Sequence, residues 1–126
     1  MSGKQVIQVP GLRSLGPYSH AVRGGGLLFV SGQAGIDPAT GAVAGDSFEA
    51  QARQAFANLR TAVTAGAGGL QAVVNTSITV SDMAFFPELN RLFEEFFPDA
   101  PPARMVVQAP LPKGLLISIG CVAAAE

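Results

Sequence analysis

Charge is the scarcest feature of this chain. Asp, Glu, Lys and Arg together make up 13% of its 126 residues, against about 25% in an ordinary soluble domain. A small monomer this poor in charge leaves apolar surface facing water. Part of that surface is therefore expected to be covered by further copies of the chain. The eight basic residues are scattered and the formal net charge is −1. No basic patch or tail is present to neutralise a phosphate backbone, which argues against nucleic acid as the main partner. The single cysteine, Cys121, excludes an intrachain disulfide, and with one histidine, His20, no Cys/His cluster can hold a metal. A reducing, cytoplasmic setting is expected. Residues 1–11 carry one Lys and no long apolar run, so no signal peptide is read there. No stretch approaches the roughly 20 apolar residues of a membrane span.

Apolar residues make up 48% of the chain, enough for a core without staples. The length fits one domain, 1–126, since domains commonly run to roughly 100–150 residues. Lys4 to Val9 reads as a short strand closed by Pro10-Gly11. His20 to Arg23 and Leu27 to Ser31 read as a hairpin joined by Gly24-Gly25-Gly26. Asp37-Pro38 with Thr40-Gly41 is a further turn. Asp46 or Ser47 can cap a helix, though Ala50 stands where a capping box has Glu. Phe48, Ala52, Ala55, Phe56, Leu59, Ala62 and Val63 recur at helical spacing. They predict an apolar face, with Gln51, Arg53, Gln54 and Arg60 on the wet side. Gly66, Gly68 and Gly69 end that helix.

Ala72 to Val80 is rich in β-branched residues and reads as a strand. Asp82 is expected to cap a second helix, with Pro87 tolerable in its first turn. Leu89, Leu92, Phe93, Phe96 and Phe97 form its stripe, and Pro98, Pro101 and Pro102 stop it. Met105 to Ala109 and Leu115 to Ala123 are the last strands, and Glu126 at the end of the chain is expected to fray. The predicted order is β-β-β-α-β-α-β-β, an α+β domain. Two helices cover one face of such a sheet, and the other face needs a neighbouring subunit.

Arg104 stands between Pro101-Pro102-Ala103 and the apolar run Met105-Val106-Val107. A guanidinium stays charged, and among such neighbours it needs an anion. That anion is either a ligand carboxylate held through two parallel hydrogen bonds or an internal acid such as Glu94 or Glu95. Ser31-Gly32-Gln33 either offers hydroxyl and amide donors to a ligand, with Gly32 allowing close approach, or is a plain strand-to-turn transition. Tyr18, the one tyrosine, is suited to a pocket wall or packs beneath the Gly16-Pro17 turn. Cys121 reads as a small core residue. No HExxH, GxSxG or phosphate-cradling loop occurs, and the Gly24-Gly25-Gly26 run opens no helix, so no dinucleotide site is expected.

Motifs along nearly the whole chain resemble the RidA/YjgF family, also known as L-PSP endoribonucleases. They are Leu15-Gly16-Pro17-Tyr18-Ser19, Phe29-Val30-Ser31-Gly32-Gln33, Asp37-Pro38 with Thr40-Gly41, and Gln51-Ala52-Arg53-Gln54-Ala55 with Asn58-Leu59. They continue through the Asn90 helix ending Phe96-Phe97, Pro102-Ala103-Arg104, and Leu111-Pro112-Lys113. The resemblance implies a mixed sheet with two helices on one face, like the small bacterial chorismate mutases. It implies a homotrimer with a central barrel and ligand sites between subunits. The implied activity is hydrolysis of reactive enamines and imines, such as 2-aminoacrylate and 2-iminopropanoate, to 2-keto acids and ammonia, with no metal or organic cofactor. By matching position Arg104 grips the substrate carboxylate. Tyr18 and Ser31 line the cleft, Gly32 offers backbone contact, Asn90 sits at the edge, and backbone groups around Val106 face the imine end.

The departure from the family is in the last strand. Ser118 stands where the family's deaminases carry a glutamate that positions or activates water. Such help is typically worth about 10²–10⁴-fold in rate. Leu116, Ser118 and Gly120 share one face of this strand and Ile117, Ile119 and Cys121 the other, so no neighbouring acid replaces it. Val106 stands where the family often has cysteine, and the stretch from Arg104 to Leu111 is one residue short. The expected function is a deaminase with weakened or altered catalysis, with Arg104 and Ser118 as its catalytic residues. The alternatives are a non-catalytic binder of small carboxylates such as 2-keto acids, or a specialised catabolic deaminase with a pocket enlarged at Gly120. A ribonuclease reading has little support, for want of a basic stripe, stacking aromatics and an acid–base pair.

Overall fold

The computed structural model describes residues 3–125; Glu126, expected to fray, lies outside them. The strands are β1 (Gln5–Ile7), β2 (Ala21–Gly24), β3 (Leu27–Ala34), β4 (Val73–Val80), β5 (Ala103–Gln108) and β6 (Ile117–Ala124). The helices are α1 (Phe48–Ala67), between β3 and β4, and α2 (Phe86–Phe96), between β4 and β5. Element order and type agree with the sequence reading, with shifts at the ends. The β2–β3 hairpin closes on Gly25 and Gly26 alone, at φ 60° and 77°. A two-residue turn needs such values, and they suit glycine.

All six strands form one mixed sheet in the order β1-β2-β3-β6-β4-β5. Every pairing is antiparallel except β4 with β5, which is parallel. That pair needs a crossover, and α2 supplies it. β6 lies between β3 and β4, which α1 connects, so the last strand is inserted through the centre of a βαβ unit.

Both helices lie on one side. The stripe Phe48, Ala52, Ala55, Phe56, Leu59, Ala62 and Val63 is buried as the spacing predicted. Along β6, Ile117, Ile119, Cys121 and Ala123 are buried, while Ser118, Gly120 and Val122 on the opposite face are half-buried. An aromatic cluster joins the helices: the Phe56 ring stacks on Phe96 at 4.6 Å and meets Phe93 edge-on at 6.1 Å. An ion-pair network also crosses between them, with Arg53 bonding Glu49 and Glu95 at 2.9 Å each and Arg91 bonding Glu49 at 3.2 Å. These charges are solvated, and exposed pairs contribute little to stability, so the aromatic packing dominates the joint. The helix-free face keeps Phe29 at 48%, Met105 at 64% and Val107 at 46% exposure.

Three details differ from the sequence reading. Gln51, expected on the wet side of α1, is 1% exposed. Its amide nitrogen donates to the carbonyls of Gly45 (2.9 Å) and Gly114 (3.2 Å), and its oxygen accepts from the Leu116 N–H (2.8 Å). It is a buried polar clasp between loops, which a period count cannot distinguish from a wet-side glutamine. The Leu116 N–H is thereby held outside the sheet, and β6 starts at Ile117 rather than Leu115. Asp82 caps a short 3₁₀ turn, Met83–Phe85, by accepting from the Ala84 N–H at 2.8 Å, and α2 proper starts after it. Finally, Gly66 does not end α1 but sits inside it, where a Cβ would come within 2.6 Å of Leu28. Gly68 at φ 93° is the cap.

Replacing the clasp tests its weight. Gln51→Leu removes three hydrogen bonds, to the carbonyls of the exposed Gly45 and Gly114 and from the N–H of the half-buried Leu116, each worth about 0.5–1.5 kcal/mol. We expect a loss of about 2–4 kcal/mol in urea unfolding at fixed protein concentration. A loss below about 1 kcal/mol would contradict the role given to it.

Candidate functional site

The residues singled out from the sequence fall into two groups on different parts of the sheet. The first lies at the β5 edge. Arg104 is the second residue of β5, just after the proline-rich stop, and pairs in register with Thr76 of β4. Thr76 is fully buried on the helix side, so Arg104 projects to that side and over α2. Its guanidinium carbon sits 5.0 Å from the centre of the Phe93 ring and 5.4 Å from that of Phe86.

Among the described residues no carboxylate pairs with Arg104. Glu95 is engaged by Arg53 and, at 3.7 Å, by Arg91. Glu94 lines the same open cleft, of about 770 Å³, with Asn90, Phe93 and Arg104, yet makes no ion pair. The internal salt bridge considered from sequence is therefore not the arrangement found. Val106 follows on the same side of β5, pairs with Ile78 and packs against the core. β5 is the last strand of the sheet, so its outer edge offers backbone groups that no described strand takes up.

The second group lies where β3 meets β6. The register between these strands shifts between Val30 and Gln33, so Ser31 and Gly32 form a bulge with no pair on β6. Bulges re-aim backbone groups and are frequent beside functional sites. A Cβ on Gly32 would lie 2.7 Å from the Ser118 hydroxyl, so Gly32 and Ser118 are in direct contact. Ser118 pairs in register with Ala34 and Thr79 on the helix-free face. Its hydroxyl has no hydrogen-bond partner among the described residues.

Of this group Ser31 differs from expectation in detail and Tyr18 does not. The Ser31 hydroxyl donates to the Ser19 carbonyl at 2.6 Å and its N–H to the His20 carbonyl at 2.9 Å. Its hydrogens thus pin the preceding loop to the sheet, and only the oxygen remains to accept. Tyr18 satisfies both readings of it. Its ring packs beneath Gly16, where a Cβ would be 3.1 Å away, while 45% of the residue stays exposed. With Gly32 it lines a pocket of about 270 Å³.

His20 and Asn58 were not singled out for this region. The His20 Nε2 lies 2.8 Å from the Arg13 carbonyl, which can only accept, so that nitrogen carries the proton. Its Nδ1 then accepts from the Gln33 amide at 3.1 Å. Asn58 of α1 donates to the carbonyls of Ala34 and Ile36 at 3.2 and 2.8 Å and holds the end of β3. The proximity of His20 to Tyr18 in the chain was the only signal, and it says nothing of a partner on β3. Cys121 is buried on the helix side, and burial pushes its thiol up to about 12. It stays protonated and is no nucleophile. Among the described residues no three His, Cys, Asp or Glu side chains gather, and no helix is long and apolar enough to cross a membrane.

The two groups cannot meet within one chain. Arg104 is on the helix side of β5, and Ser118 is on the opposite face of β6. Gly32 on β3 is three strands from β5, roughly 14 Å at the usual spacing.

A six-stranded mixed sheet with two helices on one face, and candidate site residues split between a bulge and an edge, defines the class as an α+β domain. The chain belongs to the RidA/YjgF family: the family described as Endoribonuclease L-PSP matches residues 10–125. It is 37% identical over 111 residues to Reactive Intermediate Deaminase A, chloroplastic, of Arabidopsis thaliana, covering 87% of this chain and 59% of that one. Among solved structures it is similar to RidA from an Antarctic Psychrobacter, with 35% identity, a TM-score of 0.90, and 95% and 98% of the two chains covered. It is also similar to E. coli TdcF with bound serine, at 26% identity and a TM-score of 0.90, with 97% and 99% covered.

Because the guanidinium of Arg104 has two aromatic faces and, among the described residues, no acid as partner, its removal is expected to cost the fold little. Cation–π contacts at exposed sites are worth about 0.5–1 kcal/mol. With two such contacts, Arg104→Ala is expected to lower stability by about 1–2 kcal/mol in chemical unfolding. A loss near the 3–5 kcal/mol typical of breaking a buried ion pair would reveal a structural partner.

Proposed function

We propose that the protein is a homotrimeric RidA-type deaminase. It hydrolyses 2-aminoacrylate and its tautomer 2-iminopropanoate to a 2-keto acid and ammonia, at sites between subunits and without a cofactor. Arg104, Asn90 and the backbone around Val106 come from one subunit. Tyr18, Ser31, Gly32 and Ser118 come from its neighbour. The observation that carries this reading is a guanidinium at a strand edge with, among the described residues, no acid upon it and an open cleft before it. A substrate carboxylate suits that guanidinium through paired N–H bonds. The apolar, helix-free sheet face supports closure of three sheets into a barrel, and the split of the site residues between two faces calls for a second copy. The named plant relative and the serine bound to TdcF support an amino-acid-sized ligand.

In the reaction, water adds to the imine carbon, the tetrahedral intermediate loses ammonia, and a carbonyl remains. Ser118 replaces the carboxylate that would take the water's proton. Its free hydroxyl can hold a water by hydrogen bonding but is no base near neutral pH. Orientation by Arg104 in a desolvated cleft is then the main source of acceleration, and imine hydrolysis is easy enough for that to suffice. The same serine favours a second reading, a binder of 2-keto acids with little turnover. A Cβ on Gly120 would meet the Val30 carbonyl at 3.1 Å and the Gly32 nitrogen at 3.5 Å, so β3 backbone fills the space beside Gly120 and the enlarged pocket expected there is not found. A reducing cytoplasm suits the single buried thiol.

Light scattering on the eluted protein is expected to give three times the 12.9 kDa chain mass. In a dehydratase-coupled assay the protein is expected to speed imine disappearance. Arg104→Ala should abolish this, and Arg104→Lys should restore little, because lysine lacks the planar fork. Ser118→Glu should raise the rate toward the roughly 10²-fold or more that a general base supplies. No acceleration at stoichiometric protein, together with saturable thermal stabilisation by 2-keto acids, would leave the binder reading.

A further inference from the structure

We propose that Phe86 and Phe93 are positioning residues, their rings forming a shelf that holds the Arg104 guanidinium flat-side supported and leaves its N–H edges free for a ligand. The inference rests on reading Arg104 as the carboxylate clamp, and it assigns the aiming of that clamp to α2 rather than to β5.

A guanidinium beside apolar neighbours needs a partner for its charge. An internal carboxylate would supply one but would occupy the same N–H fork that a ligand carboxylate uses. An aromatic face supplies one from beneath, through the ring quadrupole, and uses no N–H group. Both rings lie within the roughly 6 Å over which this attraction acts, at 5.0 and 5.4 Å from the guanidinium carbon.

The helix is built for the task. Phe86, Asn90 and Phe93 follow one another at four and three residues, so they form one stripe with the amide between the two rings. Asn90 and Arg104 line the same cleft. Phe93 is 7% exposed and is wedged against Phe97 at 4.7 Å and Phe56 at 6.1 Å, so the shelf is anchored in the core. Two of the three acids of α2 are drawn elsewhere, since Glu88 and Glu95 face Arg91 and Glu95 also faces Arg53; the third, Glu94, lines the cleft without an ion pair to Arg104. A guanidinium already held in place loses less rotamer freedom when a ligand arrives, which strengthens binding.

The test uses the assembled full-length protein, with pyruvate as probe, and the variants Phe86→Leu, Phe93→Leu, Phe86→Tyr and Phe93→Tyr. Calorimetric titration is expected to show pyruvate binding weakened roughly 3- to 30-fold in the leucine variants and retained in the tyrosine variants. In imine hydrolysis the leucine variants should raise KM more than they lower kcat. In nitrogen-15 NMR of the ligand-free protein, the Arg104 Nε–H proton should show a ring-current shift that the leucine variants lose. Leucine variants that bind pyruvate like the parent and leave that proton in place would overturn the shelf while the clamp stands. If the parent binds neither pyruvate nor another 2-keto acid, the functional reading fails. The proton shift then decides the shelf by itself: shifted supports it, random-coil overturns it. Should Phe93→Leu not fold, the half-buried Phe86 decides by the same measurements.

Discussion

The structure depends on one constraint: six strands carry only two helices, and both lie on the same side. Everything apolar that points to that side finds a partner within the chain, from Leu28 and Ile119 to the Phe56 cluster. Side chains on the other side do not. Phe29, Met105 and Val107 remain open to water, and a surface of that kind is stable in solution when another copy covers it. The low charge of the chain and the one-sided cover are thus two expressions of the same fact.

The same constraint divides the site. Strand alternation sends Arg104 to the helix side and Ser118 to the bare side, and the sheet order puts two strands between Arg104 and the Gly32 bulge. Neither half encloses a small molecule. One supplies positive charge on an aromatic bed; the other supplies a bulged backbone, a tyrosine and an unengaged hydroxyl. Buried polar side chains on α1 fix the second half in place. Gln51 clasps the entry to β6 and Asn58 the exit of β3, and Ser118 and Gly32 stand on those two strands. Asn58 also lines the pocket that Tyr18 and Gly32 share, and both amides are buried, where a hydrogen-bond group left unmet costs about 1–3 kcal/mol.

Much of the fold was legible in the chain. The α1 stripe, the β-branched run of β4 and the glycine hairpin are local signals, read from spacing of 3.6 or 2 and from turn chemistry. The alternation of β6 was legible too, and with it the lack of an acid near Ser118. What misled were residues whose partners are distant in sequence. Gln51 follows the period of a wet residue and is buried, because its three partners lie on loops that meet only in the fold. For Ser31 a ligand-donor reading stood beside a plain strand-to-turn transition, and in the fold its hydroxyl hydrogen goes to Ser19. Asp82 caps a turn one step before the helix it was assigned to.

By itself the sequence determined the order of elements, the single face that the helices can cover, and the candidacy of Arg104, because periodicity, turn residues and obligate charge are properties of short segments. The tertiary structure alone decided that β6 runs between β3 and β4, that Arg104 rests on Phe86 and Phe93 rather than on Glu94 or Glu95, and that the candidate site residues stand on two sides of one sheet. Those are questions of which distant segments touch, and they are answered only when strand pairing and side-chain packing are satisfied together.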